Sequence, residues 1–79
     1  MKYFHLCYSI VMSIFAQRLK ELHVENNLTQ AELAHAIGYT QRAVSKWING
    51  QAEPSATAIL RCAEFFDVST DYLLGVSDK

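Results

Sequence analysis

Apolar residues recur every three or four positions along most of this chain, which is the period of an α-helix. The clearest stripe is formed by Phe15, Leu19 and Leu22. Glycine and proline are scarce, with three and one respectively in 79 residues, which disfavours a turn-rich β fold. The pattern predicts one small all-α domain of five helices around a single core.

The first two helices have recognisable ends. Ser13 is a suitable N-cap for helix 1, which is predicted from about Ile14 to Asn26. Thr29 and Glu32 form the sequence pattern of a capping box at the start of helix 2. Gly38, which adopts a positive φ without steric cost, is expected to end that helix. The positions of helix 2 expected to face the core are Leu33, Ala34 and Ile37.

Three shorter helices are expected to follow. Thr40 is positioned to cap helix 3, which should end at Asn49-Gly50. Helix 4 is predicted from about Ser55 to Phe66, and a short helix 5 from Thr70 to Leu74 after the cap Ser69. The positions of helix 4 expected to face inward are Ile59, Leu60, Ala63 and Phe66.

The first twelve residues, MKYFHLCYSIVM, are strongly apolar. Their β-branched and aromatic side chains favour an extended arm. An exposed arm of this character would aggregate, so we expect it to pack across a dimer. The predicted organisation is therefore an N-terminal arm over residues 1–12, a helical domain over residues 13–75 and a tail over residues 76–79.

A secretory signal is one alternative for this segment, since Lys2 precedes an apolar run. His5 and Ser9 interrupt that run and no small-residue cleavage site follows, so a cytoplasmic location is expected instead. The segment is too short and too polar to span a membrane. Met12 as the natural start is a further alternative, which the sequence leaves open.

Cysteine and histidine do not suggest a reactive site. Cys7 and Cys62 are far apart, without the spacing of metal ligands. A single disulfide is the alternative to two reduced thiols, which the absence of a disulfide framework favours. His5, His23 and His35 do not cluster with cysteines or acids. With no nucleophile–base pair or glycine-rich phosphate loop, we expect no enzyme activity, metal, cofactor or small-molecule ligand.

Helix 3 has two unlike faces, which the charge distribution makes more distinctive. The formal net charge is −1, so overall charge does not suggest a nucleic-acid partner. Arg42 and Lys46 nevertheless share one helical stripe that lacks a carboxylate. The polar positions are Gln41, Arg42, Ser45, Lys46 and Asn49, and the apolar ones are Ala43, Val44, Trp47 and Ile48. An ordinary solvated face is the alternative reading of the polar stripe.

Two short helices joined at a glycine turn are the pattern of a helix-turn-helix. The second helix is held by its inner face and offers its outer face to the major groove of DNA. Gln matches the paired donor and acceptor of adenine, Arg and Lys match guanine, and Ser can serve either. The two-helix pattern therefore favours double-stranded DNA as the partner of the polar face. Trp47, at an inward position, is expected in the core rather than against bases.

The segments LTQAELAHAIGYTQRAVSKWING (Leu28–Gly50) and VSTDYLLG (Val68–Gly75) resemble the Cro- and Xre-like family of bacterial and phage repressors. The resemblance extends from about Ser13 to Gly75. It implies a five-helix, lambda-repressor-like domain that binds operator DNA, usually as a two-fold dimer.

The resemblance also implies roles for seven positions. Gln41 and Arg42 would lie deepest in the groove, with Ser45 and Lys46 one turn along. The remaining three would contact phosphate, and Gln30 could also support Gln41. These three positions are Gln30, Thr40 and Asn49.

This chain departs from the family pattern in two places. Family members often have basic residues after the recognition helix, where Gln51 and Glu53 stand here. Some pair an arginine near the end of helix 1 with a glutamate in helix 3, where this chain has His23 and Ile48. Fewer phosphate contacts imply weaker non-specific binding and a shallower salt dependence.

The sequence thus predicts a sequence-specific transcriptional regulator, a repressor that binds a pseudo-palindromic operator as a homodimer. An antitoxin or a restriction-system controller would use the same fold. A protein-interaction module that has lost DNA binding is the alternative from a different class. The weak basic flank favours that module slightly, whereas the intact Gln30, Gln41, Arg42 and Asn49 favour DNA binding.

Overall fold

The computed structural model describes residues 2–78, with side chains from residue 12 onward. Within that range it contains five α-helices and no strand. The all-α class and the five helices predicted from the sequence are therefore confirmed for the described residues. The helices are α1 (Lys2–Glu25), α2 (Gln30–Ile37), α3 (Gln41–Ile48), α4 (Ala56–Phe66) and α5 (Thr70–Leu73).

All five helices contribute to one hydrophobic core. One side chain from each helix is buried to within 1% of full burial: Phe15, Leu33, Val44, Cys62 and Leu73. Fully burying an aliphatic or aromatic side chain of this size stabilises a fold by about 1.5–3 kcal/mol. The core therefore fixes the inner face of each helix, and with it the direction in which the outer face points.

Helix α1 is longer than the sequence predicted. The extended conformation predicted for residues 1–12 is wrong over residues 2–12, and so is the N-cap role of Ser13, because α1 is continuous from Lys2 to Glu25. No glycine or proline interrupts this stretch, and extending a helix costs less than nucleating one. The predicted packing of the arm across a dimer concerns side chains outside the described residues. No helix in the described range is long and apolar enough to cross a bilayer.

The predicted capping box at the start of α2 is formed. The Glu32 amide donates to Thr29 Oγ1 over 3.1 Å, and the Thr29 amide donates to Glu32 Oε1 over 2.9 Å. The pKa of the Glu32 carboxyl is held below its usual value by two hydrogen bonds to Thr29. The bond from the Thr29 backbone amide has the larger effect, and the bond with the Thr29 side chain the smaller. Just before the box, Asn27 has a left-handed backbone, with φ 56°. The chain therefore reverses between α1 and α2 within a few residues.

The inward face of α4 differs from the prediction at one position. Leu60 is 52% exposed, whereas Ala58 and Cys62 are fully buried. Ala58 and Cys62 are four residues apart and define the inward line of α4, while Leu60 is two residues from each and points to the opposite side. The other three predicted positions are buried or half-buried: Ile59, Ala63 and Phe66.

Arg18 on α1 contacts the last helix, α5, and the segment that follows it. The Arg18 guanidinium donates to the carbonyls of Tyr72 at 2.8 Å and Ser77 at 3.1 Å. It also lies 4.2 Å from the centroid of the Tyr72 ring. These contacts hold α5 and the following segment against α1, and none of them involves α3.

Candidate nucleic-acid interface

A tight turn joins α2 to α3. Gly38 has φ 80°, and its amide donates toward the carbonyls of Ala34 and His35. The Tyr39 amide donates to the same Ala34 carbonyl over 2.9 Å. A left-handed glycine with this pattern ends a helix abruptly. Three residues therefore separate α2 from α3, and the two helices pack against each other, which confirms the predicted helix-turn-helix.

The start of α3 is fixed by the side chain of Thr40. Its Oγ1 accepts a hydrogen bond from the Ala43 amide over 3.1 Å. The amides of Gln41 and Arg42 point out of the same end without an acceptor among the described residues. Exposed amides and the positive end of the helix dipole favour a nearby anion. The first turn of α3 contains no acidic residue to neutralise that end.

The inner face of α3 is pinned to the core. Val44 is fully buried, and Trp47 is only 6% exposed. The Trp47 indole also meets the Tyr39 ring edge-on, with centroids 5.1 Å apart. The core position predicted for Trp47 is confirmed, so its indole is not available for stacking on bases.

The outer face of α3 presents the predicted donors to solvent. Gln41, Arg42 and Lys46 are exposed, and Ser45 is half-buried beside them. With Gln51 these four side chains line one shallow depression, which contains no carboxylate. Arg42 and Lys46 form no salt bridge with any described residue. Both cations are therefore free to meet an external anion.

Asn49 lies at the far end of this face. It is the C-cap of α3, is exposed, and its Nδ2 donates to Ser45 Oγ over 3.5 Å. This bond is long and weak, so the amide keeps its capacity to bind another group. Gly50 follows with φ 72° and returns the chain, so that the Gln51 amide donates to the Lys46 carbonyl over 2.8 Å.

Gln51 also lines this depression, a role that the sequence pattern does not predict. In the sequence, Gln51 stands out only as the absence of a basic residue after α3. The signal that could have found it is the Asn49-Gly50 pair, because a left-handed glycine after a helix folds the next residue back over the last turn. Its side chain adds an amide donor and acceptor to the depression.

Gln30 occupies the first position of α2 and is half-buried. No hydrogen bond joins it to Gln41, although both residues are described, so the predicted support of Gln41 is not formed in this structure. The N-terminus of α2 also holds the Glu32 carboxylate in its capping box, which opposes a phosphate there. A phosphate contact at this end would depend on the Gln30 side chain and the amides of Gln30 and Ala31.

His23 stands where some family members have an arginine. It is 9% exposed, and its Nδ1 lies 2.9 Å from the Leu28 carbonyl oxygen. The imidazole therefore fastens the end of α1 to the loop before α2. Ile48 is half-buried against the core, so an apolar contact stands in place of the arginine–glutamate pair.

The rest of the described structure offers little reactive chemistry. Cys62 is a free, fully buried thiol, and the side chain of Cys7, like that of His5, lies outside the described residues. No group of three His, Cys, Asp or Glu side chains in the described range could hold a metal ion. The outer face of α3 is thus the best-defined candidate site.

Comparison with known proteins finds relatives among helix-turn-helix transcriptional regulators. A helix-turn-helix family model matches residues 19–73. The transcriptional activator BcrR of Enterococcus faecalis is 35% identical over 60 residues, covering 76% of this chain and 29% of BcrR. The uncharacterised regulator YobD of Bacillus subtilis strain 168 is 31% identical over 65 residues, covering 82% of this chain and 58% of YobD. The chain thus spans less than two thirds of the length of either relative.

Solved structures share the fold over most of the chain. The P22 c2 repressor, crystallised with synthetic operator 9T in the presence of Tl⁺, superposes with a TM-score of 0.74 at 25% identity, covering 80% of this chain and 96% of the repressor chain. The restriction-modification controller C.AhdI of Aeromonas hydrophila gives 0.73 at 32% identity, covering 78% of this chain and 94% of the controller. These likenesses confirm the lambda-repressor-like fold. With the family model spanning most of its helices, this chain belongs to the Cro- and Xre-type helix-turn-helix family.

Proposed function

We propose that this chain is a sequence-specific DNA-binding transcriptional regulator that reads the major groove with the outer face of α3. The observation that carries the proposal is the division of that helix into two faces. Val44 and Trp47 fix one face in the core, while Gln41, Arg42 and Lys46 stand exposed on the other. A rigid helix with donor side chains and no carboxylate is suited to base edges flanked by phosphates.

The seven predicted residues divide into two groups by position. Gln41 and Arg42, in the first turn, would reach base edges, with Ser45 and Lys46 one turn further along. The other three flank the helix and would bind phosphate. Thr40 can do so although it caps α3, because its hydroxyl accepts from Ala43 and still has its own hydrogen to donate. The phosphate group comprises Gln30, Thr40 and Asn49.

The small size of α3 supports a homodimer on a pseudo-palindromic operator. Eight residues make a helix about 12 Å long, which reaches only a few base pairs. Two copies related by a two-fold axis would double the contacts and read half-sites about 34 Å apart. The operator complex of the P22 c2 repressor supports the choice of operator DNA as the ligand.

Repression by occupying an operator, and so blocking or displacing polymerase, is the regulatory effect we propose, in the cytoplasm where the DNA lies. The likeness to the P22 c2 repressor supports it. A second candidate is the controller of a restriction-modification system, which the likeness to C.AhdI favours. Binding to the promoter of adjacent restriction-modification genes, rather than to unrelated promoters, would distinguish the controller.

Selection of duplexes from a random pool, followed by a salt titration, tests the proposal. The full chain should enrich a pseudo-palindrome, and the logarithm of its binding constant should fall linearly with the logarithm of salt concentration. Lys46→Ala should weaken binding to the selected duplex. Lys20→Ala, which removes the same charge from an exposed site on α1, serves as the matched control and should have little effect.

Two results would argue against the proposal. Absence of duplex binding at low salt would favour the protein-interaction module instead. Equal losses for Lys46→Ala and Lys20→Ala would show that only overall charge matters, and that the outer face of α3 is not the binding surface.

A further inference from the structure

Arg61 joins α4 to the turn that precedes the recognition helix. Its Nη1 donates to the Ile37 carbonyl, the last of α2, over 3.2 Å. The guanidinium carbon also lies 5.7 Å from the centroid of the Tyr39 ring, within the range of a cation–π contact. One side chain thus contacts the residues on both sides of Gly38.

The chemistry of a helix end explains why a cation is placed there. The last carbonyls of an α-helix have no partner within it and carry the negative end of its dipole. The Gly38 and Tyr39 amides bond to the carbonyls of Ala34 and His35. Arg61 donates to the Ile37 carbonyl, and a charged donor makes this bond stronger than a neutral one.

The space around the turn is fitted to Arg61. A Cβ added at Gly38 would lie 3.0 Å from Arg61 Nη1, so a larger residue would shift the guanidinium slightly. The φ of 80° is the reason that glycine is favoured at this position.

Tyr39 in turn contacts α3 and the start of α4. Its ring meets the Trp47 indole at 5.1 Å between centroids, and its hydroxyl lies 3.4 Å from Ser55 Oγ. Ser55 is the N-cap of α4, whereas Trp47 lies on the inner face of α3. Tyr39 therefore sits between the recognition helix and α4, with Arg61 over its ring.

We propose that Arg61 is a positioning residue for DNA recognition, which acts through Ile37 and Tyr39 to hold α3 at one angle to the rest of the fold. This inference rests on the proposed function. A misplaced α3 can still approach phosphates through its charges, but its side chains no longer align with base edges. Loss of Arg61 should therefore reduce the discrimination between selected and scrambled duplexes.

Arg18 offers a matched control. It too donates to a backbone carbonyl and lies over a tyrosine ring, at Tyr72. Its contacts join α1 to α5, away from the turn. Arg61→Met and Arg18→Met each remove one charge and one set of interhelical contacts, but only the first touches the approach to α3.

The experiment compares both variants with the unchanged chain, at a temperature where all three remain folded. Dissociation constants are measured for the selected duplex and for a scrambled duplex of the same length. Arg61→Met should lower the ratio of the scrambled to the selected dissociation constant by at least about fivefold, which corresponds to the loss of one weak base contact. Arg18→Met should leave the ratio unchanged, and Arg61→Lys, which keeps the charge and a donor, should recover part of it. Arg61→Gln replaces Arg61→Met if that variant does not fold.

A DNA-free readout separates this inference from the proposed function. Trp47 is the only tryptophan, so its indole N–H resonance reports on the packing beside Tyr39. Arg61→Met should shift that resonance, and Arg18→Met should not. An unshifted resonance, an unchanged ratio or an equal loss of ratio in Arg18→Met would overturn the positioning role. Failure of the unchanged chain to bind any duplex would instead overturn the proposed function.

Discussion

Thr40 Oγ1 and the Ala43 amide are joined by a 3.1 Å hydrogen bond that caps the N-terminus of α3. Removing this acceptor should lower the free energy of unfolding by about 0.5–2 kcal/mol, the usual cost of replacing such a cap by alanine. Thr40→Ala is therefore expected to shift the urea midpoint downward. Thr40→Ser keeps the hydroxyl and should behave like the unchanged chain. Equal destabilisation by both substitutions would mean that the cap is not the source of the effect.

Arg42 is expected to read a base. Its side chain is exposed on the first turn of α3, with no carboxylate partner among the described residues. Arg42→Ala should weaken binding to the selected duplex by about 1–3 kcal/mol and relax the preference at one base position. Titrations against duplexes that vary one position at a time would measure both effects. Identical losses on selected and scrambled DNA would contradict a base-reading role.

Asn49 should behave differently, because its position at the end of α3 is suited to a phosphate. Asn49→Ala is expected to weaken selected and scrambled duplexes by similar factors. The same titrations measure it, so the two variants serve as controls for each other. A change of base preference in Asn49→Ala would show that its amide, now 3.5 Å from Ser45 Oγ, reaches a base edge.

Two leucines that the sequence pattern places in the core should differ sharply in their effect on stability. Leu33 is fully buried, whereas Leu60 is 52% exposed. Leu33→Ala should cost about 2–5 kcal/mol of unfolding free energy, because it removes packed atoms and leaves a cavity. Leu60→Ala should change stability by less than about 0.5 kcal/mol. Comparable losses in thermal or urea unfolding would indicate that Leu60 is covered by another surface in solution.

Cys62 should make stability fall at alkaline pH. Burial raises the pKa of its thiol from 9.0 to about 11. Above the lower value the unfolded thiol loses its proton while the folded thiol keeps it. Unfolding then releases a proton and becomes easier as pH rises. The contribution is complete below pH 9 and is lost on the way to about pH 11.

Urea unfolding of the unchanged chain and of Cys62→Ala, measured across this range, isolates the effect. The two proteins differ only at residue 62, so the influence of every other group cancels in the difference. The unchanged chain should lose stability more steeply with pH than Cys62→Ala. Parallel curves would show that the thiol is not desolvated in the folded state.

Local signals allowed much of the fold to be predicted from the sequence. The capping residues Thr29, Thr40 and Ser69 and the turn residue Gly38 all occupy their expected places. Each acts on groups only a few residues away. Helix 5 was predicted one residue too long, since Leu74 is its C-cap. The inward stripe of α1 is also confirmed, with Phe15, Leu19 and Leu22 all buried.

The errors and omissions have a different origin. Ser13 was predicted as a cap because it suits that role, but nothing in the local sequence shows whether a helix continues through it. Leu60 was placed inside by its apolarity, although the register of Ala58 and Cys62 decides which side of α4 is buried. Arg61 reaches Ile37 across 24 positions of the chain, and no local pattern predicts such a contact.

The DNA-contacting roles of the α3 side chains remain predictions, whereas their predicted placement on the outer and inner faces of the helix is observed in the structure. Helical periodicity was sufficient to separate Arg42 and Lys46 from Val44 and Trp47, because a helix with one apolar stripe has only one way to face a core. The contribution of Gln51 depends on the backbone reversal at Gly50, which periodicity does not describe.

If the outer face of α3 contacts DNA, the selected duplex should perturb the residues of that face. Amide and side-chain chemical shifts of the labelled chain, recorded as the duplex is added, measure this. We expect the largest changes at Gln41, Arg42, Ser45 and Lys46, with smaller ones at Gln30, Thr40 and Asn49. Changes centred on α4 or α5, with α3 unaffected at saturating duplex, would show that DNA binds elsewhere.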